Sequence, residues 1–181
     1  MRAEDEARFR EFAQRQAAPL RRAAYLLCGE WHLADDLVQT AFVKLYQAWT
    51  RVSRRDTVHA YVRKVLTRCW LDEVRRPWRR SENRVDAVPD VPDQGSDPAE
   101  RGQRRWERDL VRRALAEVPP RQRAAIVLRY FEDLSVAETA TVLRCSQGTV
   151  KSQTARGLSA LRAALVRLGY GAGELVVERT R

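Results

Sequence analysis

The sequence predicts an all-α protein made of two small helical domains joined by a flexible linker, and three observations predict it. Apolar residues recur at helical spacing throughout, and no strand-like alternation persists. Between Ser81 and Arg105 the stretch SENRVDAVPDVPDQGSDPAERGQRR carries three prolines, two glycines and almost no large apolar residue, too little to bury and so too little to order itself. Charge changes with it: residues 1–80 sum to +7, the linker to −2 and residues 106–181 to +5. The domain limits are therefore 1–80, a linker over 81–105, 106–168, and a short tail over 169–181.

Four helices are expected in the first domain. One carries Phe9, Phe12 and Ala13 and stops before Pro19, whose fixed φ suits the first turn of a new helix. That second helix, LRRAAYLLC, ends at Gly29, a residue suited to a left-handed cap. A third spans His32 to Trp49, with Leu37, Ala41, Phe42, Leu45 and Trp49 on one face. The fourth spans Val58 to Arg76, with Tyr61, Val62, Val65, Leu66 and Cys69 toward the core.

The second domain opens on a stripe of Trp106, Leu110, Val111, Leu115 and Val118, broken by Pro119 and Pro120. A second stripe, Ala124, Val127, Leu128 and Phe131, follows. Ser135 with Glu138 three residues later is a capping-box signature for a short helix that closes near Leu143 and Cys145. Ser146 can cap the next helix, which buries Val150, Leu158, Leu161 and Leu165. Helix, tight turn and helix, braced by two more helices, fits a DNA reader, with a compact surface hairpin whose outer face is merely solvated as the less favoured alternative.

Net charge +10 favours a polyanionic partner, although an anionic membrane or plain solubility fits charge alone equally well. Cys28, Cys69 and Cys145 are odd in number and form no C-x-x-C pair, which argues against a disulfide framework and for a reducing, cytoplasmic setting. The charged start MRAEDEARFRE lacks the apolar core of a signal peptide, and no run reaches the roughly 18 apolar residues of a membrane span. His32 and His59 belong to no metal-binding spacing and no Gly-rich phosphate loop occurs, so neither a metal, a cofactor nor a catalytic role is expected.

Three polar surfaces remain. On the last helix Gln147 and Lys151, and Ser152 and Arg156, are pairs four residues apart that project side by side, where a recognition helix places base and phosphate contacts. The end of the fourth helix, RKVLTRCWLDEVRRPWRR, mixes Arg63, Lys64, Arg68, Arg75, Arg76, Arg79 and Arg80 with Trp70 and Trp78. Cations that follow a backbone and rings that stack on unpaired bases fit single-strand binding; a core Trp70 under a basic patch fits as well. The third helix exposes Asp35, Asp36, Gln39, Thr40, Lys44 and Gln47, a face for a protein partner or for solvent.

The pair ADDLVQTAFVKLYQAW and LSVAETATVLRCSQGTVKSQTARGLSALRAAL, separated by a polar linker, resembles the extracytoplasmic-function (ECF) class of bacterial sigma-70 factors, in particular the SigE-like actinobacterial group, over Phe9 to Leu168. The resemblance implies a sigma-2 domain that docks on the clamp helices of the RNA polymerase β′ subunit through Asp35, Asp36, Gln39, Thr40, Lys44 and Gln47. It implies capture and melting of the −10 element by Arg63, Lys64, Arg68, Trp70, Arg75, Arg76, Trp78, Arg79 and Arg80. A sigma-4 domain resting on the β-flap is then expected to read the −35 element with Ser146, Gln147, Thr149, Lys151, Ser152, Gln153 and Arg156. A monomeric free protein, held by an anti-sigma factor and not inserted in a membrane, is also implied. Three residues depart from the pattern: Thr40 stands where the family often has Glu, Arg68 near a position where many members have Asn, and Gln153 where many have Arg. Two other classes use part of the same features. A stand-alone helix-turn-helix regulator of the LuxR sort needs only the second domain, and an adaptor for an anionic surface needs only basic amphipathic helices.

Overall fold

A computed structural model describes residues 3–53, 57–76 and 98–170. All regular structure among them is helical: α1 (Ala3–Cys28), α2 (Trp31–Val52), α3 (Val58–Arg75), α4 (Pro98–Glu117), α5 (Pro120–Ile126), a π-helical turn (Val127–Phe131), α6 (Val136–Leu143) and α7 (Gln147–Arg167).

The first two predicted helices are one. Pro19 lies inside α1, where a proline removes one backbone hydrogen bond and costs about 3 kcal/mol. What offsets this is phase: Phe9 and Phe12 pack on α2, edge-on and tilted against Trp49 at centroid distances of 5.2 and 5.8 Å, and Leu20, Ala23, Ala24 and Leu27 continue the buried stripe. A break at Pro19 gives up one half of that stripe, and each large side chain returned to water forfeits roughly 1.5–3 kcal/mol. The helix does end where predicted, with Gly29 at φ 78° and its N–H donating to the Tyr25 carbonyl at 2.7 Å.

α2 lies against α1 and α3 and supplies Leu37, Val38, Ala41, Leu45 and Trp49 to the core, while α3 adds Val62, Leu66, Thr67 and Trp70. In the second module α4, α5 and α7 enclose Leu115, Val118 and Ile126, and Leu110, Ala114, Ala164 and Leu165 pack further along α4 and α7. Two expectations are revised here. Residues 98–105, assigned by composition to the linker, form the first two turns of α4, started by Pro98 at a position where proline's missing donor costs nothing. Phe131 is 47% exposed, because the π-helical turn adds a residue to the cycle and carries it past the inward direction; Leu128 and Leu134 take the inner places.

The two modules are packed together. Ala124, Val127 and Leu143 of the second join the core of the first. Arg123, half-buried beneath this seam, donates to the carbonyls of Leu27 at 2.8 Å, Ala116 at 2.5 Å and Val118 at 3.1 Å, and its guanidinium lies 5.6 Å from the Trp70 ring. Leu27 is in the last turn of α1, and Ala116 and Val118 flank the end of α4. Each helix C-terminus carries about half a negative charge, so two of them balance one half-buried cation without a carboxylate. A second guanidinium, Arg112, is held by Asp109 at 2.6 Å and reaches across to Tyr25, whose ring stacks on Trp31 at 3.8 Å under Arg21.

Candidate functional site

The exposed edge of α7 is fixed from its first residue. Ser135 accepts from the Glu138 N–H at 3.1 Å while the Glu138 carboxylate accepts from the Ser135 N–H at 2.7 Å; the Ser135 hydroxyl and N–H also hold that carboxyl below its usual range. α6 then closes on Arg144 in the left-handed region, φ 52°. Two residues later the Ser146 hydroxyl accepts from the Thr149 N–H at 3.1 Å and lies 2.9 Å from the Thr149 hydroxyl. Beneath the helix, Val150 is fully buried. At Gly157 an added Cβ meets Ile126 Cδ1 at 2.9 Å and the Gln122 carbonyl at 3.1 Å, so α5 and α7 cross at backbone contact there. Gln147, Lys151, Ser152 and Arg156 are left exposed along one edge, with Thr149 and Gln153 half-buried beside them. This is a rigid polar edge with two cations and two amides, able to meet phosphates and base edges.

On α2 the structure gathers Asp36, Gln39, Thr40, Lys44 and Gln47 around one shallow depression together with Val43. Val43 is 58% and Tyr46 45% exposed, so the face mixes apolar and polar groups as a protein-docking surface does. Asp35 belongs elsewhere: it accepts two hydrogen bonds from Arg21, at 2.5 and 3.0 Å.

The basic set on α3 is dispersed. Trp70 is 1% exposed and faces Arg123, so it is a core residue and not a ring for stacking on bases; it falls four residues after Leu66 and eight after Val62, on their side of the helix. Arg63 pairs with Glu132, and Arg68 donates to the Val142 and Thr141 carbonyls at 3.3 and 3.4 Å. Both partners belong to the second module. Arg75 and Arg76 are exposed, with local partners Asp72 at 3.5 Å and Glu73 at 3.2 Å. Trp78, Arg79 and Arg80 lie outside the described residues.

Two family models match the chain: Sigma-70 region 2 over residues 12–80 and Sigma-70 region 4 over residues 108–161. The chain belongs to the sigma-70 family. The RNA polymerase sigma-E factor of Streptomyces coelicolor is 33% identical over 160 residues, covering 87% of this chain and 86% of that one. The ECF RNA polymerase sigma factor SigE of Mycolicibacterium smegmatis is 33% identical over 84% of this chain and 59% of its own. Solved structures share the fold at lower identity. The sigma factor RpoE of Bartonella quintana, in a complex with the anti-sigma factor NepR, has a TM-score of 0.64 at 23% identity over 88% of this chain and 98% of its own. CnrH in complex with the cytosolic domain of CnrY has 0.63 at 21% identity over 90% of each chain. This sigma factor is of the ECF class, the subunit type that binds core RNA polymerase and directs initiation to particular promoters. The region 2 match leaves the stand-alone regulator without a reason for its first module.

Proposed function

We propose that this sigma factor divides its work among the three surfaces described. Asp36, Gln39, Thr40, Lys44 and Gln47 meet the clamp helices of the polymerase β′ subunit, α7 reads the −35 element through Gln147, Lys151, Ser152 and Arg156, and the basic face of α3 with the residues after it engages the −10 element. The reading is carried by one observation: of the six residues Asp35, Asp36, Gln39, Thr40, Lys44 and Gln47, all but Asp35 line a single depression, and among the described residues no other element lines it. The modules then correspond to sigma-2 over 1–80 and sigma-4 over 106–168, with the second also resting on the β-flap. The protein supplies specificity and no catalysis, and works in the cytoplasm; among the described residues no helix is long and apolar enough to cross a membrane. A proteinaceous inhibitor of the anti-sigma kind is its regulator, a reading supported by the two complexes of similar fold.

The −35 half is tested by selecting promoters from a randomised duplex library with reconstituted holoenzyme. Lys151→Ala and Arg156→Ala are each expected to weaken promoter binding by about 1–3 kcal/mol if they contact a base, or to lower the salt slope by about one if they contact a phosphate. Unchanged selection and unchanged salt dependence in both variants remove α7 from the interface.

A further inference from the structure

Arg144 stands in a backbone conformation that its side chain does not favour. It closes α6 at φ 52°, with its N–H donating to the Ala140 carbonyl, where helices commonly end on glycine because a Cβ is disfavoured in the left-handed region. Among the described non-glycine residues only Asp133 shares a positive φ, and aspartate visits that region readily because its short polar side chain bonds locally. An arginine has no such compensation.

Contacts within the protein do not supply one. Arg144 is exposed, and among the described residues its side chain makes no ion pair or hydrogen bond. The negative end of α6 is already served by Arg68, which donates to the carbonyls of Thr141 and Val142. Arg144 lies close enough to Lys64 and Arg68 to repel both. Burial first lowers the pKa of each; then Arg68 and Arg144 act on Lys64, and Arg144 acts on Arg68 with Asp72 partly compensating. The residue thus opposes folding twice, through its left-handed backbone and through like charge. A local rule broken without internal compensation points to a surface where the residue meets something outside the chain.

Its place supplies that surface. Arg144 lies in the turn between α6 and α7, three residues before Gln147 and seven before Lys151. In a helix-turn-helix complex the first helix crosses the DNA backbone and the second lies in the major groove, so the turn that joins them passes beside the phosphates at the rim of the groove.

We propose that Arg144 is a further −35 contact, a cation that grips a backbone phosphate beside the groove read by α7. The inference rests on the reading of α7 given above. Such a contact fixes the register of the helix on the duplex and carries no base preference of its own. It adds a third cation to an edge that otherwise presents Lys151 and Arg156.

The test uses holoenzyme reconstituted with the full chain, on a promoter obtained by the library selection described above, with affinity measured between about 50 and 200 mM monovalent salt. Arg144→Asn removes the charge and leaves a residue that tolerates the left-handed backbone, whereas Arg144→Lys keeps the charge. Arg113→Gln removes one exposed cation from α4 and controls for net charge. Arg144→Asn is expected to weaken binding about 15-fold at 50 mM and about 4-fold at 200 mM salt, because one lost phosphate contact lowers the salt slope by about 0.9. Arg144→Lys and Arg113→Gln are expected to keep the wild-type slope. Thermal unfolding separates a contact from a structural role: Arg144→Asn is expected to melt at or above the wild-type temperature, since strain and repulsion are both relieved while affinity falls. An unchanged slope in Arg144→Asn, a slope lowered equally in Arg144→Lys or Arg113→Gln, or weaker binding together with a lower melting temperature each overturns the contact. Lys151→Ala measured alongside isolates the underlying reading. If it weakens binding while Arg144→Asn does not, α7 reads the −35 element without Arg144; if neither variant changes binding, the reading of α7 fails and the contact with it.

Discussion

Arg123→Met removes a guanidinium that caps a helix in each module, and the structure sets the size of the loss. Burial lowers the pKa of Arg123 to about 10 from 12.5, a preference against its charged form of about 3 kcal/mol at 1.36 kcal/mol per unit. Against that stand charge-assisted bonds to three carbonyls, about 1.5–3 kcal/mol each, and the Trp70 ring contact, about 0.5–2 kcal/mol. With the bond strengths taken toward the low end of those ranges, the bonds win by about 3 kcal/mol. A second route agrees: methionine fills the space but leaves the carbonyls of buried Leu27 and Val118 without this donor, at about 1–3 kcal/mol apiece, while the carbonyl of exposed Ala116 can turn to water. For a chain of this size each kcal/mol lowers the melting temperature by about 2–4 °C, so a fall of about 6–12 °C is expected in thermal unfolding followed by circular dichroism. Arg123→Lys, with one ammonium in place of a planar fork, is expected to fall between. A methionine variant melting within about 2 °C of wild type refutes the reasoning, because it means that the helix ends lose nothing when their shared cation goes.

Two further perturbations follow from local chemistry. Ser135→Ala deletes the acceptor for the Glu138 N–H and is expected to cost about 1 kcal/mol, whereas Ser135→Gly costs only a few tenths; equal urea midpoints for the two variants contradict the capping role. Cys28 donates to the Glu30 carbonyl at 3.1 Å, and burial pushes its thiol up to about 12 from 9.0. The folded chain therefore keeps a proton that the unfolded chain releases. Stability from this group is intact below pH 9 and is lost as pH rises from 9 toward 12, by at most about 1.4 kcal/mol per unit. Cys28→Ala is expected to flatten that fall in urea midpoints measured at pH 8, 9 and 10, and parallel curves for the two proteins contradict it.

Local signals carried well from sequence to structure where one residue decides the geometry. Gly29 ends α1 in the left-handed region, and Ser135, Glu138 and Ser146 make the cap bonds that their spacing implies. Signals failed where tertiary packing outweighs a local rule. Pro19 reads as a helix boundary, yet the stripe on either side of it has one phase and lies on one partner. Phe131 fits a 3.6-residue stripe, yet one π-helical turn rotates it outward, and nothing local announces that turn. Trp70 among arginines suggests a stacking ring, although its spacing from Val62 and Leu66 already placed it on the core side. The contacts between modules were the least legible, because Arg63, Arg68 and Arg123 look in the sequence like many other arginines and acquire their meaning only from helix ends and a carboxylate brought from 60 to 100 residues away. For the candidate site the outcome was mixed in the same way. Exposed edges of α2 and α7 were readable from periodicity, and the occupied face of α3 was not.

Binding to core RNA polymerase tests the central claim most directly, because it requires no knowledge of the promoter. Asp36 suits the perturbation: it is exposed on the rim of the α2 depression, while Asp35 and not Asp36 holds Arg21, so Asp36→Arg reverses a surface charge and leaves that internal pair in place. In gel filtration with sigma-free core enzyme, the wild-type protein is expected to co-elute with polymerase and Asp36→Arg to elute alone with an unchanged circular dichroism spectrum. Wild-type protein that stays apart from core enzyme contradicts the account, and an Asp36→Arg variant that co-elutes as well as wild type takes α2 out of the interface.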